Sequence, residues 1–195
     1  VNHLRGHILA AIDTETTGVI PRFSEIIQIA IVPLDSNLEP VGSPFNMNIR
    51  PERPERADPT SLAIHGISLE ELAEAPDAEK VATLLVEWSK TLKLPSHGKI
   101  VPLAHNWPFE YGFLSAWLGP KGRDDIFHWH ARDAQTLALS INDRAALAGR
   151  ERVFESVSLT NLCKHFSIVN SKPHDALADS IAEAAVYKAL LQCEF

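Results

Sequence analysis

The chain has 195 residues, 45% of them hydrophobic and 22% charged, the composition of an ordinary globular protein long enough to bury a core. Its 25 acids against 18 bases leave a formal net charge of −7, which argues against gripping long duplex through a broad basic face. No apolar run approaches the roughly 18 residues of a membrane span, no secretory leader is recognisable, and Cys163 and Cys193 lie far apart without metal spacing, so a reducing, cytoplasmic setting is expected.

"HILAAID" (7–13) reads as a buried strand that ends in a turn at Thr17-Gly18. "SEIIQIAIVPLD" (24–35) is rich in Ile and Val and reads as a second strand, and "PFNMNIRP" (44–51) alternates enough for a third. Short connections among the three predict an antiparallel meander. "PERPERADP" (51–59) is a Pro-punctuated loop whose doubled PER is too short for a structural repeat. "PTSLAIHGISLEELAEA" predicts two short helices broken at Gly66, the second opened by Ser68 with Glu71 as a capping box. Residues 77–92 have helical periodicity, with Val81, Leu84, Leu85 and Trp88 on one side. "GKIVPLAHN" (98–106) reads as a strand and 107–118 as a helix with Pro in its first turn. Residues 125–141 predict strand then helix, with His128 and His130 on one strand face; without a third ligand nearby they do not suggest zinc. The polar stretch 142–156 is expected as a surface loop. Helices follow at 158–166, capped by Ser158, and at 175–193, mostly apolar and therefore buried. The expected fold is α/β: a mixed five-stranded sheet, three antiparallel strands then two parallel, flanked by helices, in one domain spanning 1–195.

The chemistry concentrates in three places. In "AIDTETTG", Asp13 and Glu15 are two apart at a strand end, so both face one way. Two like charges so close repel unless a cation lies between them, and hard divalent ions take carboxylate oxygens. The competing reading is a polar strand end with a TTG turn. In "KPHDALADS", His174 and Asp179 are five apart, about 140° around a helix, so they converge only if His174 precedes the helix. Asp175 as N-cap places it there, on a loop free to swing, with Asp179 in the first turn. An exposed loop histidine and a helix-dipole acid are the plainer readings. The third place is "PLAHNWPFEYGFL", where Glu110 is the only acid; alone, it reads as a solvated helix residue.

Together these segments resemble the DnaQ-like (DEDDh) 3′–5′ exonucleases: Asp-x-Glu on the first strand, His-Asn-x-x-Phe-acid in the middle, and His-x-x-x-x-Asp near the end. "EIIQIAIV" and "PTSLAIHGIS" extend the resemblance, which runs from about residue 7 to 191. It implies a ribonuclease H-like fold, two divalent metal ions (Mg²⁺ or Mn²⁺), and release of nucleoside 5′-monophosphates from a 3′ end of single-stranded DNA or RNA. It also implies that Asp13, Glu15, Glu110 and Asp179 are the metal-site acids and His174 the general base. Glu110 stands where the family has Asp. Its side chain is one methylene longer, roughly 1.5 Å of extra reach, so it could bind metal directly, bind through water, or miss.

The same resemblance sets Thr14, Thr16 and Thr17 beside the terminal nucleotide and His65 near its base; each also reads plainly as a turn or packing residue. His105 and Asn106 either orient Glu110 or cap its helix. Trp88, Trp107, Trp117 and Trp129 are expected in core or rim, and Arg and Lys are scattered, so no nucleic-acid groove can be named from them. The first motif, DTETTG, leans toward DNA. Two alternatives stay open: a nuclease-fold binding module that has lost catalysis, supported by Glu110 alone, and a proofreading subunit of a DNA polymerase. The second lacks any segment after the last helix that resembles a polymerase-binding extension.

Overall fold

Runs of Ile, Val and Leu make the centre of the sheet, where both faces are covered. The structure, a computed structural model, describes residues 4–194. Strands β1 (Ile8–Thr16), β2 (Ile26–Leu34), β3 (Phe45–Asn48), β4 (Ile100–Ala104) and β5 (Arg132–Asp133) form one sheet in the order β3-β2-β1-β4-β5. The pairs β1–β2 and β2–β3 are antiparallel, and β1–β4 and β4–β5 are parallel. This is the ribonuclease H-like arrangement that the sequence predicts.

Helices cover both faces. Helices α2 (Ala78–Thr91) and α3 (Trp107–Ile126) pack with Ala10, Ile12 and Ile29 in one core; α2 contributes Val81 and Leu85, as its periodicity predicts. Helices α4 (Ala134–Leu147), α5 (Leu159–His165) and α6 (Ala176–Leu191) pack with Leu9, Ala11 and Val32 in the other. Alternation along β1 therefore sends Asp13 and Glu15 to the α6 side, and Thr14 and Thr16 to the α2–α3 side. α1 (Pro59–His65) closes over the strand end that carries them.

Five sequence expectations change. β1 runs on to Thr16, past the expected end at Asp13, because β2 keeps pairing with it as far as Ile26. Ser68 and Glu71 do form the reciprocal capping box, with N–H to side-chain distances of 2.8 and 3.2 Å. Yet no helix follows: Leu72 bonds back to Ser68, Ala73 to Glu70 and Ala75 to Leu72, a mixture of spacings stopped by Pro76. Residues 127–131 are not an extended strand, so His128 and His130 share no strand face; the His130 N–H donates to His128 Nδ1 at 3.0 Å in a local turn. The expected loop 142–156 begins later, because α4 continues to Leu147 by burying Ile141 and Ala145. Helix α3 also outruns its expected end at 118, but it kinks there, at Gly119 (φ 69°) before Pro120.

Candidate active site

Strands β1 and β4 pair only from Ile8 to Ala11 on the β1 side. Beyond that they part, and the acids gather at the opening. β1 supplies Asp13 and Glu15, opposite Ala30 and Gln28 of β2. α3 leaves the end of β4 and brings Glu110 in its first turn, only 3% exposed. α6 brings Asp179 in its own first turn, 8% exposed. Glu110, read from sequence as a solvated residue when taken alone, is thus buried, and its Oε2 has no hydrogen-bond partner.

The electrostatics follow from burial and from the mutual repulsion of the carboxylates. Burial, then Glu15 and Asp179, hold the Asp13 carboxyl well above the usual range. Burial, then Asp179 and Asp175, push Glu15 up to about 7. Glu110 is raised well above its ordinary value, by burial first and Asp13 second. Each carboxyl would be ionised at neutral pH if positive charge were supplied among them. The orphaned Glu110 oxygen and the all-oxygen donor set fit a hard divalent ion. Among the described residues, Glu15, His174 and Asp179 offer ligand atoms that all lie within 4.8 Å of one another.

His174 lies just before α6, as its spacing from Asp179 requires, and Asp175 is the N-cap, accepting from the Ala178 N–H at 3.2 Å. The expected free swing of this loop needs correction. Asp179 Oδ2 accepts from the His174 N–H at 3.0 Å, and Asp179 Oδ1 accepts from Asn170 Nδ2. The acid therefore pins the backbone of the histidine, which sits in the left-handed region at φ 63°. The imidazole itself stays exposed.

The remaining expected contacts divide. Thr14 Oγ1 is buried without a partner and is available. Thr16 Oγ1 donates to the Gly18 carbonyl at 2.7 Å, and Thr17 Oγ1 accepts from the Glu25 N–H at 2.9 Å, so both hydroxyls build the turn. His65 Nδ1 accepts from the Ile67 N–H at 3.1 Å, while its Nε2 is buried and unpaired. Asn106 is the N-cap residue of α3, but in the left-handed region at φ 82° and with no side-chain capping bond. The cap is supplied by Asp133, whose Oδ2 accepts from the Trp107 N–H at 2.8 Å and whose Oδ1 accepts from the Thr136 N–H of α4 at 2.9 Å. One carboxylate so holds two helix starts, and with them Glu110.

Two buried polar residues escaped the sequence reading. Glu183 is fully buried one helical turn beyond Asp179, and its Oε1 accepts from the Ile12 N–H at 2.9 Å, where β1 has lost β4. Burial, then Asp13 and Glu110, raise its pKa well above the ordinary value. Gln28 Oε1 accepts from the Ala176 N–H at 2.9 Å and ties β2 to the start of α6. The available signals were a lone acid at i+4 in an apolar helix and a lone amide in an Ile-Val strand.

A sequence profile described as Exonuclease matches residues 10–187. The DNA polymerase III subunit epsilon of Rickettsia conorii is 32% identical over 183 residues, covering 92% of this chain and 72% of that protein. The same subunit of Pasteurella multocida is 31% identical, and the chain spans 65% of its length. Ribonuclease T of Shewanella frigidimarina is 27% identical over 95% of this chain and 83% of that protein. Among solved structures, Escherichia coli exonuclease I in complex with a dT13 oligonucleotide superposes with a TM-score of 0.67 at 21% identity, over 94% of this chain and 40% of that one.

Proposed function

The chain belongs to the exonuclease family, and from that premise we propose that it removes nucleoside 5′-monophosphates from the 3′ end of single-stranded nucleic acid, DNA ahead of RNA. The observation that carries this is the convergence of Asp13, Glu15, Glu110 and Asp179 at one strand opening, with His174 beside Glu15 and Asp179. Those four acids would hold the divalent ions, Mg²⁺ or Mn²⁺. Once bound, the ions supply Lewis-acid activation of water and neutralise charge on the phosphoryl oxygens.

The protein's own groups do the rest. A His174 ring nitrogen takes the proton of the attacking water. The new P–O bond forms as the bond to the 3′ oxygen of the preceding nucleotide breaks. That oxygen leaves with a proton, giving a shortened strand with a 3′ hydroxyl and a nucleoside 5′-monophosphate. Thr14 Oγ1 and His65 Nε2, both buried and unpaired, offer polar contacts to the terminal nucleotide. The buried, orphaned Oε2 of Glu110 supports direct metal binding over a water-mediated or a missed contact.

The relatives named as DNA polymerase III subunits support a second reading, a proofreading role beside a polymerase. The oligonucleotide bound in exonuclease I supports a single-stranded DNA substrate, and the ribonuclease T relative supports RNA. One digestion series tests the proposal: end-labelled single-stranded DNA and RNA with Mg²⁺, with Mn²⁺ and with EDTA, products resolved as mononucleotides. Stepwise 3′ shortening that needs metal is expected, and Asp13→Asn should abolish it, a larger loss than the roughly 10²–10⁴-fold of a missing general base. Undiminished digestion by Asp13→Asn would remove this site from the reaction. Strand binding without cleavage under every metal would support the impaired binding module.

A further inference from the structure

Basic residues that look scattered in the sequence meet in the fold. Arg22 follows the turn after β1, Arg50 lies just after β3, and Arg53 comes from the Pro-punctuated loop 51–59. All three line one cavity of about 480 Å³, separate from the carboxylates. Its apolar wall is Ile26, Ile49, Phe113 and Trp117.

Its charges are unevenly satisfied. Glu25 and Glu52 also line it. The Glu25 carboxylate is occupied by backbone: its oxygens accept from the Glu52 N–H at 3.0 Å and the Arg53 N–H at 2.9 Å. Arg50 lies 3.8 Å from Asp77 in a half-exposed pair. Arg22 and Arg53 take part in none of the ion pairs among the described residues. Arg53 Nε is buried with no hydrogen-bond partner. A buried guanidinium nitrogen without a partner, with a second unpaired arginine on the same cavity, fits an anion.

The cavity is joined to the acidic site by covalent structure. Glu110, Phe113 and Trp117 are spaced i, i+3, i+7, so the face of α3 that carries Glu110 also walls the cavity, about 10 Å further along. Thr17 ties the other walls to the turn after Asp13 and Glu15: its N–H donates to the Glu25 carbonyl at 2.9 Å, and its carbonyl accepts from the Asp58 N–H at 2.7 Å. Gly112 lets the loop bearing Arg22 lie against α3, since a Cβ there would stand 2.8 Å from Pro21.

We propose that this cavity is a second nucleotide subsite, which holds an upstream nucleotide of the strand whose 3′ end lies among the carboxylates. Arg22 and Arg53 take the phosphodiester, and the base lies against the half-buried Trp117. With Arg50 set against Asp77 and the Glu25 carboxylate held by backbone N–H groups, Arg22 and Arg53 are the cavity's side chains left to meet a phosphodiester. This rests on the 3′–5′ exonuclease reading above.

The test uses two variants, Arg22→Ala/Arg53→Ala and Ala116→Trp. The first removes side chains that make no ion pair among the described residues, and the second fills the cavity from an exposed position on its wall. Thermal melting checks that both fold. Binding of a fluorescent single-stranded oligonucleotide in EDTA should weaken roughly 10-fold in each, with the salt slope of the arginine variant falling by about 0.7 per lost phosphate contact. Hydrolysis of the p-nitrophenyl ester of thymidine 5′-monophosphate, which reaches only the carboxylate site, should keep its kcat/KM, while KM for the oligonucleotide rises. Unchanged strand binding and salt slope in folded variants would overturn the subsite. So would loss of free thymidine 5′-monophosphate binding with strand binding intact, because the cavity would then serve free nucleotides. A wild type that cleaves neither substrate would sink the exonuclease reading, and the binding assay would still decide the subsite.

Discussion

One face of helix α3 touches two regions of opposite character. At its start Glu110 joins the half-buried Asp13 and the buried Glu15, Asp179 and Glu183, acids that crowd one another. Three to seven residues on, Phe113 and Trp117 wall a cavity edged by arginines, two of them without an acid partner. Elsewhere on the surface an exposed lysine meets a carboxylate directly, as in Lys172–Asp175 at 2.9 Å. The acidic region instead keeps an excess of one sign, and the cavity keeps a buried guanidinium nitrogen without a partner, both next to buried atoms, where an unpaired charge costs most. The fold bears that cost at both places, and each is complementary to one part of the proposed complex: cations at the acids, phosphate at the arginines.

The largest break in this contrast comes from the proton carrier. His174→Ala should lower kcat roughly 10²–10⁴-fold while calorimetry shows divalent-metal binding retained. Lost metal binding would make His174 a ligand rather than a base. Glu110→Asp comes next. The shorter arm withdraws an oxygen from Asp13, so metal affinity should fall by about 10- to 100-fold, the scale of disturbed ligand geometry. A gain in activity would instead mark the natural site as impaired.

The acid cluster also predicts a pH dependence. Glu15 has a folded pKa raised to about 7, so the folded protein holds protons that the unfolded chain has released. Stability in EDTA should therefore decline as pH rises from about 4.5 through about 7. The melting temperature should drop several degrees, since about 1 kcal/mol moves it 2–4 °C at this chain length. Mn²⁺ should restore it. A melting temperature that climbs across that window in EDTA would contradict the crowded-acid description. The smallest effect is expected at Glu183. Gln keeps an acceptor for the Ile12 N–H and should leave stability nearly unchanged, whereas Ala orphans that N–H and should cost about 1–3 kcal/mol. Equal melting of the two variants would show that the bond carries no weight.

The legible parts of this chain were those where local pattern and final position agree. The Ile-Val strands, the Ser158, Asp175 and Ser68 caps, and the break near residue 118 were written in adjacent residues. So was the placement of His174 before α6. The errors arose where long-range partners intervened. The capping box at Ser68 had too little chain before Pro76 to make a helix. The cap of α3 came from Asp133, 27 residues beyond Asn106, and not from Asn106 itself.

By itself, the sequence determined the order of the strands and of most helices and the pair Asp13–Glu15 on one face, and it marked Asp13, Glu15, Glu110, Asp179 and His174 as the candidates for the site. These depend on periods of two and 3.6 residues and on side-chain type, which are local properties. Only the tertiary structure decided that Glu110 is buried with a free oxygen, that Glu183 takes the N–H where β1 and β4 part, and that Arg22, Arg50 and Arg53 share a cavity. Burial and field at a group depend on everything packed around it, and those neighbours come from elements up to 171 positions away in the chain.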